Sequence, residues 1–318
     1  MYLLELVGDD DAFARREAAA RASDVRALAP GLAIARGVRR PETLAYTRRV
    51  GRLLGTAEPT VEGAVALLDA ASVDRSGSVA VRARDVRGRA GVDTRAAERR
   101  LGAVLVDRGF SVDLEAPDHT LLALFSEAAA LGWLTAEPPR GYGDRQPTEK
   151  PFFQPGSMAP ADARALANLA GAGPDAHVLD PMCGTGGVLV EAGLVGSEVV
   201  GLDAQPKMAA GARENLAHYL DGGFEVLRGD ATRLPFADAA FDGVVFDAPY
   251  GRQSKVEHDS LVTLVEDALA EARRLAPRAV VVGDRPYDEA AEAAGWSVDS
   301  RFERRVHRSL TRHVHVLR

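Results

Sequence analysis

Four aspartates, each closing an apolar run, carry the chemistry this sequence can do. The first opens Asp180-Pro-Met-Cys-Gly-Thr-Gly-Gly187, directly after His177-Val-Leu179. Gly184, Gly186 and Gly187 allow a tight strand-to-helix turn and a close approach of backbone to a ligand. The turn lacks the G-x-G-x-x-G dinucleotide pattern and the Gly-Lys-Ser/Thr ending of a P-loop. A carboxylate just before the glycines repels a pyrophosphate and pairs with an amino group. The turn therefore points to a cofactor with an ammonium and no phosphates, as in S-adenosylmethionine. Asp203 closes the next apolar run, 23 residues on, where an acid can accept both hydrogen bonds of a ribose diol. Asp230, in Gly-Asp-Ala-Thr, closes the third and can accept the exocyclic amine of adenine. Taken singly, each acid is as well explained as a helix N-cap or a turn residue. Three on successive strand ends predict a nucleoside-cofactor site.

The fourth run ends Phe246-Asp-Ala-Pro-Tyr-Gly251. An exocyclic amine conjugated with its ring is a poor nucleophile. Asp247 and the carbonyl of Ala248 or Pro249 can hold its two hydrogens and leave its lone pair aimed at a methyl group. Pro249 sets the backbone, and Tyr250 can stack on a base, which in a structured nucleic acid must be flipped out. The competing explanation is an Asx-type turn with a core tyrosine.

Elements that could position these acids alternate through the second half of the chain. Strands are predicted at His177–Asp180, Glu198–Asp203, Phe224–Asp230, Phe241–Asp247 and Ala279–Asp284. Helices are predicted at Ala161–Ala170, Val188–Gly193, Pro206–Leu220 and Leu261–Leu275. Continuously apolar strands between helices predict a parallel sheet covered on both faces, whose ligands bind at the carboxyl ends of the strands. Trp296–Arg305 and Thr311–Arg318 read as a closing antiparallel hairpin. Ala136–Pro155 holds seven Pro or Gly in twenty residues and reads as a linker. Before it the pattern predicts strands at Met1–Val7, Leu32–Val38, Ser78–Val86, Ser111–Glu115 and Thr120–Phe125. Helices are expected at Asp11–Ala29, Glu42–Leu54, Thr60–Ala71 and Thr94–Arg108, making two small α/β units near 1–55 and 56–135.

The chain has 318 residues, 46% apolar and 27% charged, with a net charge of −7, which is the range of an ordinary globular protein of two or three domains. All the negative excess lies in residues 151–318, with 17 basic against 24 acidic side chains; residues 1–150 carry 22 of each. The bases are 36 Arg and 3 Lys, and Arg75–Arg100 holds eight Arg against three acids. Most such arginines are solvated faces, yet the cluster is compatible with a partner carrying phosphates. The apolar run Tyr2–Val7 is too short for a signal peptide, and Leu121–Leu134 is too short to span a bilayer. A single cysteine, Cys183, excludes an internal disulfide and any multi-cysteine metal site. No metal is expected, and a monomer in a reducing, cytoplasmic compartment is.

With these motifs the whole chain resembles the THUMP-domain tRNA guanine-N2 methyltransferases, in particular the archaeal enzymes acting on the guanosine at tRNA position 10. Lys150-Pro-Phe-Phe-Gln-Pro-Gly-Ser-Met158 resembles the segment that closes over the cofactor in that family. Asp247–Tyr250 resembles its Asp/Asn-Pro-Pro-Tyr motif, with Ala248 in place of the first proline. Val79–Arg84, the helix with Leu101-Gly-Ala103, and Val112–Asp118 resemble the THUMP pattern.

The resemblance implies a C-terminal Rossmann-like class I methyltransferase domain at 159–318, a linker at 136–158, a THUMP RNA-binding domain at 56–135 and a ferredoxin-like domain at 1–55. S-adenosylmethionine is the implied cofactor, held by Gln154, Gly156, Ser157, Asp180, Cys183, Gly184, Thr185, Gly186, Asp203, Asp230 and Ala231. Asp247, Pro249 and Tyr250 are the implied catalytic residues, and tRNA is the implied partner, with Arg82, Arg84, Arg87 and Arg89 near its surface. The sister family acting on tRNA position 6, and a DNA amino-methyltransferase acting on adenine N6 or cytosine N4, are the alternatives. Cys183 is assigned a small-residue role in the turn rather than catalysis. His313 and His315, on one face of the last strand, are expected to face solvent or RNA. His258 is expected in a loop.

Overall fold

The computed structural model describes residues 1–250, 258–307 and 310–318. The chain forms two compact units, Met1–Pro139 and Arg140–Arg318. In the first, eight strands pair in one sheet in the order Arg26–Ala29, Leu32–Ala35, Tyr2–Leu6, Thr47–Ala57, Ala129–Ala136, His119–Phe125, Ser78–Asp85 and Ser111–Val112. Pairing is antiparallel except around Ser78–Asp85, which runs parallel to both its neighbours. Helices Asp11–Ala18, Val61–Ala70 and Thr94–Asp107 start where Asp10, Thr60 and Asp93 accept the third backbone N–H beyond them. The last two press Ala64, Leu68, Leu101 and Leu105 into a core with Leu121, Phe125 and Trp133.

Two expectations fail here. The helix predicted over Asp11–Ala29 ends at Ala18, and Ala22–Ser23 and Arg26–Ala29 are strands, with Asp24 in a left-handed turn at φ 52°. The helix predicted over Glu42–Leu54 is the central strand Thr47–Ala57, flanked by two antiparallel partners. Thr47 and Val50 are buried in that sheet, so pairing on both edges overrides local propensity. The apolar run Leu121–Leu134 is a hairpin, turning at Ser126–Ala128. Thr47–Ala57 and Ala129–Ala136 join the strands of residues 1–55 and 56–135 into one sheet.

In the second unit the sheet order is Phe224–Arg228, Glu198–Asp203, His177–Asp180, Gly243–Asp247, Ala279–Gly283, Leu310–Leu317, Val298–His307. The first five strands are parallel and the last two antiparallel. Helix Pro160–Leu169 precedes strand His177–Asp180, helices Gly187–Leu194, Pro206–Tyr219 and His258–Leu275 lie in the crossovers, and a short helix Asp288–Ala293, not foreseen, precedes the hairpin. Val244, Val245, Phe246 and Val280–Val282 are fully buried, as strands covered on both faces must be. Strand order reverses at His177–Asp180, whose neighbours are the second and fourth strands, and this opens a crevice at the carboxyl ends. Among the described residues no helix is long and apolar enough to cross a membrane.

Candidate active site

The crevice is a cleft of about 760 Å³ lined by residues 154–158, 180–185, 203–205, 229–231 and 247–250, with Met208 and Leu264 among its apolar walls. All four strand-end aspartates line it. Three of them share one local device: the carboxylate accepts the backbone N–H two residues on, an Asx-type turn. Asp180 accepts from Met182 at 3.0 Å, Asp203 from Gln205 at 2.9 Å and Asp230 from Thr232 at 2.9 Å. The other oxygen of Asp203 accepts Gly184 N–H at 3.0 Å, which ties the second strand end to the glycine turn. Gly184 and Gly186 hold φ of 51° and 73°, the left-handed region that favours glycine. Gly186 does not line the cleft; it faces Ala212, whose Cβ would lie 3.3 Å from an added methyl.

The three acids differ in charge environment. Asp230 is exposed, and the Thr232 N–H and hydroxyl hold its carboxyl below the ordinary value. Burial raises that of Asp203. Asp180 is only 3% exposed; burial raises its carboxyl well above the ordinary range, and Asp203 and Asp247 raise it further. Among the described residues no cation pairs with Asp180. A buried carboxylate without a cation, facing a cleft, fits a ligand that brings a positive charge.

Asp247 is held differently. Its second neighbour along the chain is Pro249, which has no N–H, so the Asx-type bond of the other three is unavailable. Ala248 N–H is spent on Val282 O at 2.8 Å. The carboxylate instead accepts the Tyr250 hydroxyl at 2.6 Å and lies 3.5 Å from the Arg312 guanidinium. Burial raises the Asp247 carboxyl to about 6, although Arg312 and the Tyr250 hydroxyl pull it down. Burial, and then the Asp247 charge, push the Tyr250 phenol far above its ordinary value, so its hydroxyl stays protonated and donates.

A strap, residues 150–158, covers one side of the cleft. Ser157 Oγ donates to Gln154 O at 2.7 Å and lies 3.2 Å from Thr185 Oγ1. Asn215, fully buried, accepts Phe152 N–H at 2.9 Å and donates to Phe152 O at 2.9 Å and Thr185 O at 2.8 Å, clamping strap to glycine turn. The buried Glu191 holds Arg145 and Arg164, each at 2.7 Å.

Residues 147–314, from the strap to the last strand, match the family described as RMKL-like, methyltransferase domain. The tRNA (guanine(10)-N2)-dimethyltransferase of Methanothermobacter thermautotrophicus is 37% identical, over 86% of this chain and 83% of its own. That of Pyrococcus abyssi is 31% identical, over 69% and 68%. The chain belongs to this dimethyltransferase family. The crystal structure of TrmN from Thermus thermophilus, 24% identical, matches 99% of this chain and 98% of its own with a TM-score of 0.50, a likeness of fold. The second unit is thus a class I Rossmann-like methyltransferase fold, and the protein is a methyltransferase of this family.

In this family member the sequence reading missed Asn215 and Arg312. Arg312 had a signal: it shares a strand face with the buried Val314 and Val316, an inward position where a charge is costly. His315 corrects an expectation. It is 1% exposed rather than solvent-facing, accepts Tyr287 N–H at 3.2 Å and lies 3.3 Å from Asp288. Cys183 is buried, its thiol raised by burial, which suits a turn residue and not a nucleophile. His258 opens a helix rather than sitting in a loop, and its side chain lies outside the described residues.

Of the four arginines expected near RNA, three have partners within the first unit. Arg82 donates to Leu114 O at 2.7 Å, Arg84 lies 3.2 Å from Glu5, and Arg87 donates to Gly8 O and Asp11. Arg89 is exposed. A cavity of about 790 Å³ lies elsewhere on this unit, lined by Arg52, Ser72, Arg75, Ser76, His119 and Trp133 among others. Arg75 lies over the Trp133 ring at 5.1 Å and 3.0 Å from His119 Nδ1.

Proposed function

We propose that this chain transfers methyl groups from S-adenosylmethionine to the exocyclic N2 of the guanosine at position 10 of tRNA. The observation that carries the reading is the convergence of Asp180, Asp203, Asp230 and Asp247 on one cleft, in a chain of this family. Asp180, desolvated and without a cation among the described residues, would take the amino group; Asp203 the ribose diol; Asp230, beside Ala231, the adenine amine. The backbone of 183–185 would cradle the cofactor, and Gln154, Gly156 and Ser157 would cover it. When bound, the cofactor supplies an electrophilic methyl on sulfur.

What the chain supplies is position. Asp247 accepts one hydrogen of the guanine amine and an inward carbonyl of Ala248 or Pro249 accepts the other, so the lone pair faces the methyl. Asp247 would take the proton that the amine loses on methylation and pass it to solvent. The Tyr250 hydroxyl is committed to Asp247, which leaves the ring face for stacking on the flipped base. Residues 56–135 serve as the THUMP domain, and the Arg52, Arg75, His119 and Trp133 cavity suits phosphate and base contacts. The test is methyl transfer from labelled cofactor to an unmodified tRNA transcript. Incorporation should vanish when guanosine 10 alone is replaced; incorporation that persists there and is lost on changing guanosine 6 assigns the sister activity instead.

A further inference from the structure

Arg312 is 65 residues from Asp247 in sequence and lies beside it in space. It sits on Leu310–Leu317, a strand paired on both edges, with its guanidinium buried. Three contacts occupy the fork. Nε donates to the Tyr250 hydroxyl at 2.9 Å; a terminal nitrogen donates to Gly156 O at 3.0 Å and lies 3.5 Å from Asp247. The Tyr250 hydroxyl in turn donates to Asp247, so guanidinium, phenol and carboxylate close a ring. Gly156 belongs to the strap over the cleft. One buried cation therefore touches the acid, the aromatic and the strap.

We propose that Arg312 is a positioning residue for methyl transfer, aiming the Asp247 carboxylate and the Tyr250 ring at the substrate amine and making that aim depend on the seating of Gly156. The proposal rests on the methyltransferase reading of the cleft. Two properties make arginine suited to the place. Its rigid planar fork fixes the directions of two hydrogen bonds while its charge lies beside the carboxylate, a geometry that an ammonium on a flexible stem does not impose. Its charge also keeps a desolvated carboxylate ionised, and only the ionised form accepts at both oxygens. Among the described residues, the charged and titratable groups facing Asp247 are Arg312, Tyr250, Asp284, Asp180 and Tyr287. Arg312 is the one cation in that set, so removing it leaves the carboxyl free to rise.

The experiment compares wild type, Arg312→Gln and Arg312→Lys as full chains in single-turnover methyl transfer to tRNA across pH 5–9, with cofactor affinity measured calorimetrically. Asp247 is ionised above its carboxyl value, so the wild-type rate climbs through about pH 6 and levels off. In Arg312→Gln that acid limb should move to higher pH by about one unit, and the plateau should fall roughly tenfold or more. Arg312→Lys, which keeps the charge and loses the fork, should hold the limb in place with a lowered plateau. An Arg312→Gln profile that superimposes on wild type after scaling overturns the proposal. If that variant does not fold, Arg312→Lys decides, because a wild-type plateau there overturns the positioning role as well. Wild type that binds no cofactor and transfers no methyl would instead sink the methyltransferase reading.

Discussion

Asp180, Asp203 and Asp230 accept N–H groups two residues along their own chain; Asp247, on the same cleft, is followed at that distance by a proline and is held by a phenol and a guanidinium. The first device is local and rigid: each turn carries its own donor, and the carboxylate keeps its aim whatever the rest of the sheet does. That suits a cofactor whose shape does not change from one turnover to the next. The second leaves the carboxylate free of the backbone, as an acid that must accept an amine hydrogen and later a proton requires. Its aim then depends on side chains that arrive from a distant strand.

The sharpest way to break this contrast is Asp247→Ala. Methyl transfer under single turnover should fall about a thousandfold, while cofactor affinity stays within roughly threefold of wild type, since the turns that hold Asp180, Asp203 and Asp230 keep their own donors. Comparable losses in both quantities would mean that the two devices are not separate. Asn215→Ala attacks the clamp between strap and glycine turn. It strips partners from three backbone groups, the half-buried Phe152 N–H and O and the buried Thr185 O. Each costs on the order of 1 kcal/mol, so cofactor affinity should weaken by up to about a hundredfold in calorimetry.

A smaller effect separates the two units. Arg52→Ala combined with Arg75→Ala should weaken tRNA binding about tenfold and flatten its dependence on log salt by roughly one to two, with cofactor affinity unchanged. An effect confined to cofactor binding would refute an RNA role for that cavity. The smallest effect is on stability. The Asp180 carboxyl is raised by burial, so its ionised form opposes folding, and that cost grows as pH rises from the ordinary carboxylate range towards the folded-state value. Asp180→Asn keeps an oxygen for Met182 N–H and removes the charge. Apparent Tm at pH 7 should rise by about 2–4 °C, the gain should vanish near pH 4, and cofactor affinity should fall. An Asn variant less stable than wild type at pH 7 would show that the Asp180 carboxylate is compensated within the folded protein.

Legibility followed the same division. The helices Val61–Ala70, Thr94–Asp107 and Pro206–Tyr219 were visible because their start signals, Thr60, Asp93 and Pro206, lie beside a 3.6-residue apolar pattern. Thr47–Ala57 was not, because its partners Tyr2–Leu6 and Ala129–Ala136 lie about 45 and 80 residues away in sequence, and pairing with them decides its conformation.

What this protein's sequence determined alone is the set of turns: glycines where φ must be positive, acids with their own donors two residues on, and a proline that denies the fourth acid such a donor. These interactions close within a few residues, so residue order contains them. Only the tertiary structure decided that Arg312 would reach Asp247, Tyr250 and Gly156, that Asn215 would clamp the strap, and that His315 would be buried. Those contacts join segments up to 156 residues apart, and which distant side chain fills a given place depends on sheet order and register, quantities that no single stretch of chain contains.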